Sequence, residues 1–306
     1  MIETEWKTTG EPAIRTEALT KDYGDVHALR GLDLEVRHGE IYGFLGPNGA
    51  GKTTTIRCLL DMIRPSDGKV EVLGLDPQKK SVEVRSRVGY LPGELRLYGY
   101  MKAGAMLRFL NGQRSDRADW AYIEELADRL GLDLNMPIKN LSKGNKQKIG
   151  VVQAFMHRPE LLIMDEPTSG LDPLVQQEVF SLIEEAKANG ATVFFSSHVL
   201  SEVEEIADRV GIIREGKLVE SANPSDLIER AIHQVTVRFR EPVEWRTLTQ
   251  VPGVGLLEAE DGLTVSLQVE GEMDALVKSL AEYPISSLET ERPSLEEAFL
   301  IYYRGN

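Results

Sequence analysis

The sequence predicts an α/β fold with an inserted helical subdomain, followed by a smaller α+β domain. Short β-rich runs, among them "EIYGFL" and "ELLIMDEP", alternate with segments of helical spacing, which is typical of a mostly parallel sheet flanked by helices. One of these runs leads through a glycine-rich loop, "GPNGAGKT", directly into a helical segment. Because such sheets bind ligands at the carboxyl ends of their strands, we expect the functional residues in the loops that follow them.

The order of the elements places a domain boundary at about residue 232. β-Rich runs come first, the pattern turns helical between about residues 93 and 159, and strands return in "ELLIMDEP", "ATVFFSSH" and the hairpin "VGIIREGKLVES". We therefore assign residues 13–232 to the α/β domain and residues 93–159 to its helical subdomain.

Residues 233–306 are predicted to form a separate accessory or regulatory domain. Apolar residues alternate in 235–239 and 263–269, whereas 273–280 follow helical spacing. An order of strand, helix, strand, strand, helix and strand, as in ferredoxin-like domains, fits this pattern. The last segment, "PSLEEAFLIYY", begins with Ser294 and Glu297 spaced as a helix capping box.

Composition excludes several classes of protein. The chain has 306 residues, with 35 Lys and Arg against 49 Asp and Glu, and its net charge of −14 disfavours unspecific binding to nucleic acid or to anionic membranes. A single cysteine, Cys58, rules out an intramolecular disulfide and a cysteine metal cluster. We expect neither a membrane span nor a signal peptide, and hence a cytoplasmic chain, because no run of 18 apolar residues occurs and the start "MIETEWKTTGEP" is polar.

The strongest functional signal is "GPNGAGKT", which fits the G-x-x-x-x-G-K-[ST] pattern of a phosphate loop in a P-loop NTPase core. Glycines let the backbone wrap phosphate oxygens, Lys52 supplies a cation, and the Thr53 hydroxyl can ligate Mg²⁺. The predicted nucleotide-binding residues of this loop are Gly46, Pro47, Asn48, Gly49, Ala50, Gly51, Lys52, Thr53 and Thr54.

Two further strands deliver candidate catalytic residues. The run "LLIMDEP" ends with Asp165, which suits Mg²⁺, and Glu166, which can polarise an attacking water. His198 follows "TVFFSS" and could hydrogen-bond a γ-phosphate and that water. Alone, the two adjacent acids would more often be a solvated turn, and His198 a packed or solvent histidine, but the phosphate loop in the same chain favours a site at the two acids.

This ordered set of motifs resembles the nucleotide-binding subunit of an ABC transporter over about residues 13–230. Tyr23 in "KDYG" resembles the aromatic residue that stacks on adenine, and "LSKGNKQK" stands at the position of the family signature, with its serine 23 residues before Asp165. The segment "SGLD", which ends at Asp172, resembles the D-loop, and His198 resembles the switch histidine. The signature and the C-terminal tail resemble those of the daunorubicin and antibiotic resistance exporters.

The signature resemblance implies a second copy of the chain as partner. A polar turn that opens a helix can hold an anion, and in this family that turn contacts the γ-phosphate bound by the other subunit. Two residues depart from the common signature: Lys143 replaces glycine and could favour phosphate or be merely solvated, and Asn145 replaces glutamine but keeps an amide. The signature residues are Ser142, Lys143, Gly144 and Asn145.

A second departure lies in "GYLPGELRLY". The family often has a glutamine directly after this proline, where it reaches Mg²⁺, but the chain has Gly93. Glu94 could replace it as a metal ligand from the next position, or it could be an ordinary solvated acid.

The resemblance implies an ATP- and Mg²⁺-dependent ATPase that drives a separate membrane permease, most simply an exporter of a drug, lipid or polymer. The chain would lie on the inner face of the membrane, docked through residues 95–109, with no nucleic acid partner. A soluble ABC ATPase outside transport is the alternative, although the single phosphate loop and the lack of heptads disfavour it. A binding module without turnover is a second alternative, which Glu166 and His198 disfavour.

Overall fold

A computed structural model describes residues 12–229, 232–260, 262–270, 273–291 and 299. The chain divides into two compact units between Ser221 and Ala222. The boundary predicted from the sequence, after residue 232, lies later in the chain than this division, within the strand that begins at Ile232. The predicted boundary stays a prediction.

The first unit contains most of the strands. In chain order they are β1 (Ile14–Tyr23), β2 (Val26–Val36), β3 (Ile41–Leu45), β4 (Asp67–Val72), β5 (Val88–Leu91), β6 (Leu161–Asp165), β7 (Thr192–Ser197), β8 (Arg209–Arg214) and β9 (Lys217–Ala222). The predicted hairpin is confirmed, because Glu215 and Gly216 link β8 to β9 and both have positive φ, as a tight turn between twisted strands requires.

The helices of this unit surround its sheets. They are α1 (Lys52–Leu59), α2 (Ser81–Arg87), α3 (Ala103–Gly112), α4 (Trp120–Arg129), α5 (Lys143–Phe155), α6 (Pro173–Ala188) and α7 (Leu200–Ile206), with a 3-10 turn at Ile138–Asn140. Helices α3 to α5 fall within the segment 93–159 that was expected to be helical.

The main sheet has the strand order β5-β6-β7-β3-β8-β9, and its pairs from β5 to β8 are parallel. Strands β3 and β6 are buried along their whole length, as expected for a sheet covered on both faces. A smaller antiparallel sheet has the order β2-β1-β4. The predicted α/β class is confirmed, and the parallel register brings the carboxyl ends of β3, β6 and β7 to one edge.

Aromatic packing fixes the centre of the main sheet. The Phe194 ring lies 6.0 Å from that of Tyr42 and 5.3 Å from that of Phe44, measured between centroids. Burial raises the pKa of Tyr42 to about 12, and its hydroxyl pairs with Ser221 at 3.0 Å. Cys58 is buried in the same core, which fits a packing role.

The second unit begins with α8 (Pro224–Glu229) and continues with β10 (Ile232–Phe239), β11 (Val254–Glu260), β12 (Thr264–Glu270), α9 (Asp274–Leu280) and β13 (Ile285–Glu291). Its antiparallel sheet has the order β11-β12-β10-β13, which is the ferredoxin-like arrangement.

The expected first helix of that arrangement is replaced by a 3-10 helix over Trp245–Gln250. Thr247 and Thr249 donate their hydroxyls to backbone carbonyls three residues earlier, at 2.8 and 2.9 Å, which competes with a longer α-helix. The predicted capping box of Ser294 and Glu297 lies outside the described residues. None of the helices in the described ranges is long and apolar enough to cross a membrane.

Candidate nucleotide-binding and catalytic site

The phosphate loop joins the end of β3 to the start of α1, as predicted. Gly49 and Gly51 have φ of +83° and +114°, a backbone region that side chains avoid. At Gly51 an added Cβ would also lie 2.8 Å from the Ala28 carbonyl oxygen. The loop is therefore held in a tight curve whose backbone an anion can approach closely.

Lys52 lies folded back over this loop. Its side chain is 6% exposed, and Nζ donates to the carbonyl oxygens of Gly46 and Pro47 at 2.5 and 3.2 Å. Burial lowers the pKa of Lys52, while the nearby carboxylates of Glu166 and Asp165 act in the opposite direction. The ammonium group is thus placed where phosphate oxygens could replace carbonyl oxygens as its acceptors.

Asp165 is the last residue of β6 and accepts two hydroxyl hydrogen bonds. Thr53 donates to its Oδ2 at 2.7 Å, and Ser196 donates to its Oδ1 at 2.5 Å. The two residues predicted to ligate Mg²⁺ therefore already touch. Ser196 was not predicted, although its place at the end of "TVFFSS", beside the Asp165 strand, was a usable signal.

Glu166 and His198 form a pair at the same edge of the sheet, with Oε1 2.9 Å from Nδ1. Glu166 has φ of +51°, which strains a residue with a side chain. Its backbone N–H donates to the Ser196 carbonyl oxygen at 3.1 Å, which holds this conformation. The structure thus brings together two predicted catalytic side chains from different strands.

Gln147 is a contributor that sequence reasoning missed. This α5 side chain is 4% exposed and donates to the carbonyl oxygens of Glu166 and Pro167 at 3.2 and 3.1 Å. It therefore ties the helix that begins at the predicted signature to the loop that carries Glu166.

The predicted signature turn packs against the predicted D-loop of the same chain. Ser142 caps α5 by accepting from the Asn145 N–H at 3.2 Å, and Lys143 Nζ donates to Ser169 Oγ at 3.2 Å. An added Cβ on Gly144 would lie 2.5 Å from the Gly170 carbonyl oxygen. Only a glycine at position 144 allows this approach.

The D-loop in turn leads into α6. Asp172 caps that helix and accepts from the Val175 N–H at 3.1 Å. The signature and the D-loop thus each end at the start of a helix, whose free N–H groups favour anions.

A cavity of about 150 Å³ lies in front of the phosphate loop. Its lining residues are Ala28, Pro47, Asn48, Gly49, Gly51, Lys52, Thr53, Thr54 and Glu166. Tyr23 lies at the end of β1, is 46% exposed and has Lys21 Nζ at 5.1 Å from its ring centroid, so its ring is accessible for stacking.

Gly93 lies against Asp165, whereas Glu94 is exposed. An added Cβ at position 93 would be 3.2 Å from Asp165 Oδ2. Position 93 therefore faces the predicted metal site, and a metal role for Glu94 stays a prediction.

Comparison with known proteins agrees with these motifs. Residues 29–169 match the ABC transporter family. The chain is 36% identical over 302 residues to the bacitracin transport ATP-binding protein BcrA of Bacillus licheniformis, covering 94% of this chain and 96% of that one. It is 32% identical to the linearmycin resistance ATP-binding protein LnrL of Bacillus subtilis, covering 94% and 97%.

Solved structures give the same result for the fold. The structure of an ATP-binding subunit of an ABC transporter aligns with a TM-score of 0.65 and 28% identity over 70% of this chain and 91% of that one. A dimeric ATP-binding cassette bound to ADP and Pi aligns with a TM-score of 0.63 and 19% identity over 69% and 98%, which shows the same fold. The chain is therefore a member of the ABC transporter family, of the antibiotic exporter branch, and is its ATP-binding and ATP-hydrolysing subunit.

Proposed function

We propose that the chain powers the export of a drug, lipid or polymer by a separate permease, as a homodimer that uses Mg²⁺ and ATP. The Glu166–His198 pair beside the phosphate loop supports turnover rather than binding alone. The curated relatives BcrA and LnrL are named for bacitracin transport and linearmycin resistance, which supports an antibiotic as cargo.

Thr53 and Asp165 are the residues that we assign to Mg²⁺, and both supply the oxygen ligands that this ion prefers. Their 2.7 Å hydrogen bond supports the fit, because it shows that two oxygen atoms suited to Mg²⁺ lie side by side. Mg²⁺ bound there would neutralise charge that develops on the phosphates. The backbone N–H groups of residues 46–54 and Lys52 would bind the phosphates themselves.

Glu166 is the residue that we assign to polarising the attacking water. The hydrogen bond from His198 Nδ1 fixes the direction of the carboxylate, and a ring that carries a proton on both nitrogens could also donate from Nε2 to the γ-phosphate. The strained backbone of Glu166 supports a functional role, since such strain is concentrated at active sites.

A second copy of the chain is the partner that we assign to the signature residues Ser142 to Asn145. The capped start of α5 offers free N–H groups and the Lys143 ammonium to an anion. The γ-phosphate in the partner's phosphate loop is the ligand that the family resemblance suggests. Asp172 would belong to the same interface.

The permease is assigned to the predicted docking segment, residues 95–109, together with a groove of about 280 Å³ that adjoins the end of this segment at Leu110. Its lining residues are Leu60, Met62, Arg85, Val88, Tyr90, Leu110, Gln113, Arg114, Gln153, Met156 and His157. Two buried atoms there, Arg114 Nε and His157 Nδ1, have no partner among the described residues. An apolar groove with one unused donor and one unused acceptor suits a peptide segment of a permease, which would hold the chain at the inner face of the membrane.

The homodimer is tested by sedimentation of the Glu166→Gln variant with Mg²⁺ and ATP. Replacing one carboxylate per site by an amide removes repulsion from the triphosphate and stops water activation, so the variant should dimerise where the wild type does so weakly. Like charges a few ångströms apart cost about 4 kcal/mol at an effective dielectric of about 20, so a quarter of that per site gives roughly tenfold or more over two sites.

Ser142→Arg on the Glu166→Gln background is the control, because it blocks the contact with the partner's phosphate. A variant that stays monomeric with saturating ATP, or a dimer that tolerates Ser142→Arg, would contradict the proposed interface.

The permease assignment is tested by co-purification with a candidate permease, the product of any membrane-protein reading frame that neighbours the one for this chain. The ring centroids of Tyr98 and Tyr100 lie 5.8 Å apart on the surface within the segment expected to dock, and Tyr100 is 83% exposed. Tyr100→Asp should lower co-purification while leaving the fold unchanged. Leu174→Asp on α6 is the matched control, because Leu174 is 84% exposed. Equal recovery of both variants would contradict docking through this segment.

A further inference from the structure

Glu202, on α7, holds a buried carboxylate that none of the motifs explains. It is 9% exposed, and two hydroxyl groups satisfy it: Thr168 donates to Oε1 at 2.5 Å, and Ser197 donates to Oε2 at 2.7 Å. A buried carboxylate destabilises the fold unless it is hydrogen-bonded, so both hydroxyls are needed where they are.

The two hydroxyls belong to the turns that carry the catalytic pair. Thr168 comes two residues after Glu166, and Ser197 directly precedes His198. Ser197 Oγ also accepts from the Val199 N–H at 2.9 Å, which closes the turn around His198. The Glu202 carboxylate therefore joins the two turns through these two hydroxyl groups.

Side chains do not fill the space on one side of these two turns. A cavity of about 220 Å³ borders both turns, and Glu166, Thr168, Ser197, His198 and Glu202 are among its lining residues. Space of this size lets either turn relax once its hydrogen bonds are lost, and Glu166 has a strained backbone that favours relaxation.

We propose that Glu202 is a positioning residue for ATP hydrolysis, which keeps Glu166 Oε1 within 2.9 Å of His198 Nδ1 by joining the Thr168 and Ser197 turns. The inference rests on the roles proposed for Glu166 and His198. Glu202 touches neither of them and acts only through the two hydroxyls.

The test compares Glu202→Ala with Glu205→Ala in the purified full chain. Glu205 lies on the same helix, is exposed and accepts a hydrogen bond from Gln177 across the surface, so its loss changes the charge equally. Glu202→Ala should lower kcat about ten- to a hundredfold, as expected when a catalytic group moves by about 1 Å, with KM for ATP within about twofold because the phosphate loop is untouched. Glu205→Ala should keep both values.

Thr168 variants keep the test decisive if Glu202→Ala does not fold. Thr168→Val preserves shape but removes one hydroxyl and should lower kcat, whereas Thr168→Ser keeps the hydroxyl and should restore it at a similar melting temperature. Combining Thr168→Val with Glu202→Ala should add little further loss, because the two groups act as a unit. The inference would be overturned if the variants changed only KM for ATP and kept kcat. It would also be overturned if kcat simply followed the melting temperature in all variants.

Glu166→Gln and His198→Ala, measured in parallel, separate this inference from the proposed function. If both keep wild-type kcat, the proposed catalytic pair is wrong. If both lose turnover while Glu202→Ala and Thr168→Val keep it, only the positioning role of Glu202 is wrong.

Discussion

Replacing Gly144 by alanine should damage turnover more than it damages the fold. The added Cβ would lie 2.5 Å from the Gly170 carbonyl oxygen, whereas ordinary contacts begin near 3.4 Å. Neither side can yield easily, because Gly144 lies in the first turn of α5 and the obstacle is backbone. The start of α5 must therefore move away from the D-loop by up to about 0.9 Å, the difference between 3.4 and 2.5 Å.

The expected size of the effect follows from two opposing terms. Overpacking costs about 1–3 kcal/mol, and replacing glycine by alanine returns about 0.4–1 kcal/mol through the unfolded chain. A net loss of about 1–2 kcal/mol should lower the melting temperature by roughly 2–8 °C. Since a shift of about 1 Å in a positioned group can cost about a hundredfold in rate, turnover should fall roughly ten- to a hundredfold.

Gly112→Ala is the matched control for this prediction. Gly112 ends α3, and an added Cβ there would meet nothing within 4 Å. That variant should gain about 0.4–1 kcal/mol in stability and keep full turnover. Thermal unfolding, ATP binding and ATP hydrolysis would be measured for both variants, with unchanged ATP binding expected. If Gly144→Ala is as stable and active as Gly112→Ala, the signature does not press on the D-loop.

Three further predictions concern single residues. Lys52→Ala should weaken ATP binding by roughly a hundredfold or more, because the charge-assisted hydrogen bonds to phosphate disappear. Its melting temperature should be nearly unchanged, because the substitution also removes a buried charge. Undiminished hydrolysis would contradict this prediction. Gly93→Gln should lower the Mg²⁺ concentration needed for half-maximal hydrolysis, since it adds an amide oxygen beside Asp165. If this concentration does not change, the new side chain does not contact Mg²⁺. Burial lowers the pKa of His157 from 6.5 to about 4. The contribution of the neutral histidine to the free energy of unfolding should therefore be complete above pH 6.5, and up to about 3 kcal/mol should be lost as the pH falls to 4. Denaturant titrations at each pH should show a smaller loss for His157→Gln.

The sequence predicted the parallel sheet and its loops because apolar runs and turn residues are local signals. The phosphate loop, the strand before Asp165 and the hairpin at Glu215 all follow from patterns of a dozen residues or fewer, and each occurs where it was expected. The 3-10 helix at Trp245–Gln250 was missed because hydroxyl-to-carbonyl bonds, which depend on side-chain geometry, shortened the helix.

Contacts between distant segments could not be predicted in this way. Gln147 and Ser196 support the catalytic loop through bonds to residues about 20 or more positions away in the chain, and nothing in their own neighbourhoods indicates those partners. Sequence also could not decide what Lys143 does. In the structure its ammonium group lies on Ser169, so its contact in this subunit is the D-loop.

The close packing of β5 against α5 joins the groove to the catalytic loop. An added Cβ on Gly150 would lie 2.6 Å from the Leu91 side chain, and one on Gly89 would collide with the Ala154 carbonyl, so the strand and the helix cannot slide past each other. The C-terminal end of α5 borders the groove assigned to the permease, where Gln153 is among the lining residues. The N-terminal end of α5 carries the signature, and Gln147 donates a hydrogen bond to the Glu166 carbonyl oxygen. A partner that seats in the groove and displaces α5 would therefore shift the signature and the Glu166 loop together, since no flexible segment lies between them.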